Sequence, residues 1–174
     1  MLTYQRYQQL ARKLGGIGLQ ITVLVAIYWG IQAWIIRDMS SGPVPTVVAG
    51  QVDGNTPLSL PLDAQGPYLI HFWASWCPIC GVMEGAVNDV ATDYPVIGIA
   101  LKSGSHDEVR AFMVEHEIDY PVISDANGVI SQRFGVTGVP STFVVDRDNT
   151  VRFRDRGLSS EWGLRLRLWL AGRD

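Results

Sequence analysis

Cys77 and Cys80 are the only two cysteines in the 174-residue chain. With two residues between them, they could close a disulfide, hold a metal or exchange electrons with another disulfide. Their placement decides among these. The segment Trp76-Cys77-Pro78-Ile79-Cys80 sits where an apolar run, Tyr68 to Trp73, gives way to a helical pattern of Val82, Met83, Ala86, Val87, Val90 and Ala91. At a helix N-terminus, unpaired backbone N–H groups and the macrodipole favour an anion. A thiolate at Cys77 is therefore expected to be stabilised, with Cys80 one turn behind it and able to close a disulfide. In that arrangement Cys77 attacks a substrate disulfide and Cys80 resolves the mixed disulfide. Pro78 falls just inside the helix start, where its missing N–H costs little. A structural bridge around a four-residue loop would stabilise by only roughly 2 kcal/mol. A zinc site would need four ligands, and the remaining histidines, His71, His106 and His116, are scattered. Redox chemistry without a metal or cofactor is the expectation. A copper-binding chaperone using both cysteines as soft ligands is the alternative from another class.

A second element, Gly135 to Thr142, ends a brief helical pattern and leads into a strand through Val139-Pro140. A cis bond before Pro140 would make a tight turn with no donor at residue 140. The Val139 backbone would then be free to pair with an extended substrate strand.

These motifs need a scaffold. Val96 to Leu101 reads as a buried strand, and Ser105 to Glu108 as a capping box opening the next helix. Val47-Val48 and Leu58/Leu60 flank the turn signal Asp53-Gly54-Asn55, a hairpin reading, and Ser141–Val145 and Thr150–Arg154 give another. A last helix from about Ser160 carries Trp162, Leu166, Trp169 and Leu170 on one apolar face, flanked by Arg165 and Arg167. His106 and His116 are expected to face solvent, and Arg147, Arg152, Arg154 and Arg156 to form a solvated strand face. Strand–helix–strand–helix followed by strand–turn–strand–helix implies a mixed α/β sheet with helices on both faces.

Ahead of this domain, Leu14 to Ile36 holds no charge. A helix of that length reaches roughly 34 Å, enough for a bilayer core of about 30 Å. The run is longer than a signal-peptide core and lacks an A-x-A-like cleavage site. Arg6, Arg12 and Lys13 precede it and Arg37-Asp38 follow, which places the N-terminus in the cytoplasm. The expected layout is a cytoplasmic segment 1–13, an anchor 14–36, a linker 37–45 and a catalytic domain 46–174. The chain carries a net charge of −3, with +3 on residues 1–39 and −6 on the rest, which excludes a basic footprint for nucleic acid.

FWASWCPIC followed by GVPSTFVVD resembles the thioredoxin superfamily, over about residues 44–172. Within it the chain is similar to the membrane-anchored TlpA/ResA-like branch, and there most similar to the suppressor-of-copper-sensitivity (ScsD) group of protein disulfide oxidoreductases. The resemblance implies the thioredoxin-like fold, a cis Pro140 facing the Cys77–Cys80 pair and Trp76 flanking it. It also implies a periplasmic domain on a single-pass bacterial inner-membrane anchor, exported thiol- or disulfide-bearing substrates, and a membrane electron donor of the DsbD or ScsB kind. The direction implied is reduction, with a thiol oxidase of the same fold as the alternative. Two features depart from the pattern. Where many branch members carry an acid and then a proline after the second cysteine, this chain has Met83 and Gly85. Glu84 is displaced by one residue, about 100° around a helix and off the expected face. Where thioredoxins bury an Asp beneath the site, this chain has His71, which either takes a proton from Cys80 during resolution or is a core histidine that is hydrogen-bonded or points away from the cysteines.

Overall fold

The computed structural model describes residues 2–54 and 57–173, and for residues 2–15 and 17 the backbone alone. Asn55 of the hairpin signal and the side chains of Arg6, Arg12 and Lys13 lie outside the described residues. The chain divides into two units, Met1–Arg37 and Asp38–Asp174.

The first unit is one helix, α1 (Leu2–Ile35). Its stretch Gly18–Ile35 is long and apolar enough to cross a membrane, and none of it is buried within the protein. Leu19, Leu24, Trp29 and Trp34 all stand exposed.

The second unit holds β1 (Gly42–Pro43), β2 (Val47–Gly50), β3 (Pro57–Leu60), β4 (Tyr68–Trp73), α2 (Pro78–Ala91), β5 (Val96–Leu101), α3 (His106–Glu115), β6 (Val122–Asp125), α4 (Val129–Arg133), β7 (Ser141–Val145), β8 (Thr150–Arg156) and α5 (Glu161–Ala171). Six strands form one mixed sheet in the order β1-β8-β7-β4-β5-β6, and β2 and β3 form a separate hairpin. β4 pairs in parallel with β5 and antiparallel with β7, so both its edges are satisfied and all six residues are buried. Side chains alternate across it. Leu69 and Trp73 join one core with Met83, Val87 and Val90 of α2, Val109 and Met113 of α3, and Leu164 and Leu168 of α5. On the other face Phe72 meets Phe134 and Phe143, ring centroids 5.2–5.5 Å apart. The capping box forms as expected: Ser105 N–H donates to Glu108 Oε2 at 2.7 Å, and Glu108 N–H to Ser105 Oγ at 3.3 Å. This is the thioredoxin-like α/β fold with helices on both faces of a mixed sheet.

Four local expectations change. Residues 38–45, expected as linker, are packed on the domain: Met39 and Val44 are buried, and Gly42–Pro43 pairs with β8. Val82 points outward, leaving Met83, Val87 and Val90 to fill the buried face of α2. α5 buries Leu164, Leu168 and Ala171, while Trp162, Leu166, Trp169 and Leu170 are exposed. The arginines of the late hairpin are not a uniformly solvated face. Arg152 Nε donates to buried Asp146 at 2.6 Å, Arg154 Nη1 donates to the Met39 carbonyl, and Arg156 Nε and Nη2 are buried.

Two buried positions generate predictions. A Cβ on Gly98 in β5 would come within 2.8–2.9 Å of Tyr120, Trp73 and Val122. Gly98→Ala is expected to lower the unfolding free energy by about 1–3 kcal/mol, while Gly50→Ala, with open space around it, stays within about 0.5 kcal/mol in denaturant titration. His71 is buried, and its burial pushes the imidazole pKa down to about 4. Between the unfolded value and that one, the unfolded chain binds the proton and the folded chain does not. Stability is therefore full above about pH 6.5 and falls as pH drops toward 4, by about 3 kcal/mol. That loss should vanish in His71→Leu; an unchanged acid limb would show that His71 is not the group responsible.

Candidate active site

The end of β4 hands the chain to α2 through residues 74–77. Cys77 is the N-cap of α2, in extended geometry (φ −102°, ψ 104°), with Pro78 opening the helix. The Cys80 N–H donates to Cys77 Sγ at 3.3 Å, so the sulfur caps the first turn of the helix. Cys77 is half-buried and Cys80 buried, and both are free thiols. From the other side, the Val139 carbonyl lies 3.7 Å from Cys77 Sγ, and the Val139–Pro140 bond is cis. Ser141 Oγ donates to the Gly138 carbonyl at 2.7 Å, closing the turn that carries Val139. A second cis bond, Leu60–Pro61, follows β3.

The two sulfurs differ electrostatically. Burial first, then the hydrogen bond and charge of Cys77 and the charge of Glu84, push the Cys80 thiol up to about 12, against a smaller opposing hydrogen bond from the Ala74 backbone. Cys80 is thus a protonated thiol in the resting dithiol. His71 shares the face of β4 with Leu69 and Trp73, whose side chains enter the core containing Cys80. Its Nδ1 is buried with no hydrogen-bond partner among the described residues. Trp76 is 60% exposed, its indole N–H donating to the Lys102 carbonyl at 3.1 Å.

Glu84 and His116 depart from expectation. Glu84 lines a cavity of about 340 Å³ together with Trp76, Cys77 and His116. Burial is the main cause that raises the pKa of Cys80 and of Tyr120, and the charge of Glu84 adds to it at both. His116, expected in solvent, stacks on Phe112 at 3.9 Å, and its Nδ1 lies 2.9 Å from Glu84 Oε2. The partner of Glu84 comes from the C-cap of α3. No spacing in the sequence links residue 84 to residue 116. His106 opens α3 and is exposed, as expected. Among the described residues no three His, Cys, Asp or Glu side chains cluster to hold a metal.

The model of the AhpC/TSA family matches residues 43–154. A thioredoxin-like protein of Haemophilus influenzae is 27% identical over 161 residues, covering 92% of this chain and 96% of that protein. A thiol:disulfide interchange protein DsbE homolog of Paracoccus denitrificans is 28% identical, covering 77% of this chain and 80% of its own. The thiol-disulfide oxidoreductase ResA of Bacillus thuringiensis is 26% identical, covering 62% and 64%. Among solved structures, a thioredoxin-family thiol:disulfide interchange protein of Chlorobium tepidum superposes with a TM-score of 0.62 at 26% identity, over 76% of this chain and 97% of that one. The chain belongs to the AhpC/TSA family, and it has the thioredoxin-like fold and close cysteine pair of a thiol–disulfide oxidoreductase of the DsbE and ResA type.

Proposed function

We propose that this chain is a membrane-tethered reductase that passes two electrons from Cys77 and Cys80 to disulfides of exported proteins. The observation that carries this reading is the asymmetry of the pair, a half-buried Cys77 capping α2 above a buried, protonated Cys80. Cys77 thiolate attacks one client sulfur, forms a mixed disulfide and expels the other client sulfur as a thiolate. Cys80 then gives up its proton and attacks Cys77 Sγ. The second client thiolate leaves, and a Cys77–Cys80 disulfide remains. A membrane electron donor of the DsbD or ScsB kind returns two electrons and restores the dithiol. Trp76, Pro78, Val139 and Pro140 frame the reacting sulfurs, with the Val139 backbone offered to an extended client strand.

In this reading α1 is the single-pass anchor in a bacterial inner membrane, its N-terminus cytoplasmic and residues 38–174 periplasmic. The apolar, unburied stretch Gly18–Ile35 supports the anchor, and the basic residues ahead of it support the orientation. The reductive direction and the ScsD-like assignment rest on the motif resemblance.

His71 is the proposed positioning residue for resolution. Its burial keeps it neutral, so it can accept a hydrogen bond, but also makes it a weak base. It helps Cys80 once the mixed disulfide has removed the Cys77 thiol and charge that hold the Cys80 proton in place. His71→Asn should slow mixed-disulfide decay more than twofold throughout pH 6 to 8, a window in which His71 stays neutral, and should steepen the rise of the rate with pH there; a smaller effect removes His71 from the scheme.

The cysteine roles have a direct test. Cys77→Ser should lower insulin reduction by about a thousandfold or more, and Cys80→Ser should accumulate client covalently bound at Cys77. A Cys80→Ser protein that traps nothing, or a Cys77→Ser protein that still reduces insulin, would refute the assignment. A Cys77–Cys80 potential near about −270 mV fits the reductase, whereas one near about −120 mV makes the chain an oxidase.

A further inference from the structure

Trp76 belongs to the walls of two different cavities. On the α2–α3 side is the cavity containing Cys77, Glu84 and His116. On the other side is one of about 530 Å³, walled by Lys102, Asn127, Gln132 and the 135–137 segment that leads to the cis turn. Lys102 is the charged residue of this second wall, and Glu84 carries the carboxylate of the first. Neither charge is placed casually. Lys102 adopts a left-handed backbone (φ +47°), its carbonyl holds the Trp76 indole, and its side chain runs against Gly128 at the cavity wall. Buried Ser131 closes the floor there, its Oγ without a hydrogen-bond partner among the described residues. Glu84 is held by His116, itself stacked on Phe112. The half-buried sulfur of Cys77 thus lies beside a divider with a cationic, hydrogen-bonding recess on one side and an anionic one on the other.

From this we infer that the site reads charge polarity in its client: the segment bearing the attacked sulfur lies across Trp76 with an acidic side chain in the Lys102 recess and a basic one facing Glu84. The inference rests on the thiol-exchange reading above and adds a substrate class to it. Complementary charges at the two ends of a short segment set orientation and encounter rate. The effect is modest because both groups reach solvent, and it shrinks with salt.

The test uses the full chain carrying Cys80→Ser, so that only the attack is seen. Two end-blocked peptides of one composition, Asp-Ala-Cys-Ala-Lys and Lys-Ala-Cys-Ala-Asp, are each joined through cysteine to 5-thio-2-nitrobenzoate. Cys77 thiolate forms a disulfide with the peptide sulfur and releases the coloured thionitrobenzoate anion, so bonds and electrons balance. Because the peptides carry the same charges in reverse order, non-specific attraction cancels. The second-order rate constants should differ by about threefold or more at low salt and converge at 0.5 M salt. Lys102→Glu should bring their ratio below about 1.5, Lys102→Gln and Glu84→Gln should each reduce it, and the glutamine variants decide the matter if Lys102→Glu does not fold. Equal rates in the parent protein, or a ratio that survives these substitutions, overturn the inference while leaving thiol exchange intact. Failure of both peptides to release colour defeats the thiol-exchange reading itself, and the inference with it.

Discussion

The site depends on the fixed end of β4. A strand hydrogen-bonded on both edges and buried on both faces has no freedom to shift register, because a one-residue slip would reverse every side chain. Its last residue therefore delivers the chain at a set place and direction, and Cys77 arrives as the cap of α2. β7, the other neighbour of β4, is held by the same ladder, and its first residue follows the cis turn. One sheet thus fixes both approaches to the sulfur: the helix N–H from one side and the Val139 carbonyl from the other. Neither approach depends on a long loop.

Sequence patterning carried most of this architecture because the informative segments are short, apolar and sharply bounded. β4 and β5 are continuous runs between glycine, proline and helix signals, the capping box marks the start of α3, and the cysteine pair marks the start of α2. The errors have a common physical origin in degeneracy. In α5 two stripes satisfy helical spacing: Leu164, Leu168 and Ala171, and also Trp162, Leu166, Trp169 and Leu170. Periodicity cannot say which of two apolar faces meets the sheet. The larger residues look like better core candidates, yet the space above β7 and α2 takes the smaller set. Residues 38–45 mislead for the opposite reason. Their glycine and prolines resemble a linker, but Met39 and Val44 find buried sites and Gly42–Pro43 completes the sheet edge.

The surroundings of the cysteines were the least legible part, since they come from elements far apart in the chain. A one-residue shift of Glu84 along α2 says nothing about what α3 places opposite. His116 and Phe112 make Glu84 part of the site. Lys102 carries no motif at all; its importance comes from a left-handed backbone turn and the carbonyl it offers Trp76. Such features arise from packing and cannot be found by spacing.

Trp73, Phe112 and His116 form a ladder of stacked rings, 5.3 Å and then 3.9 Å between centroids. Its inner rung sits in the same core as the buried sulfur, and its outer rung lines the open cavity. Indole emission is sensitive to neighbouring sulfur and to nearby charge, so the ladder makes the protein its own optical gauge. Oxidation at the inner rung and occupancy at the outer one would both act on Trp73, one of six tryptophans in the chain, without any attached dye.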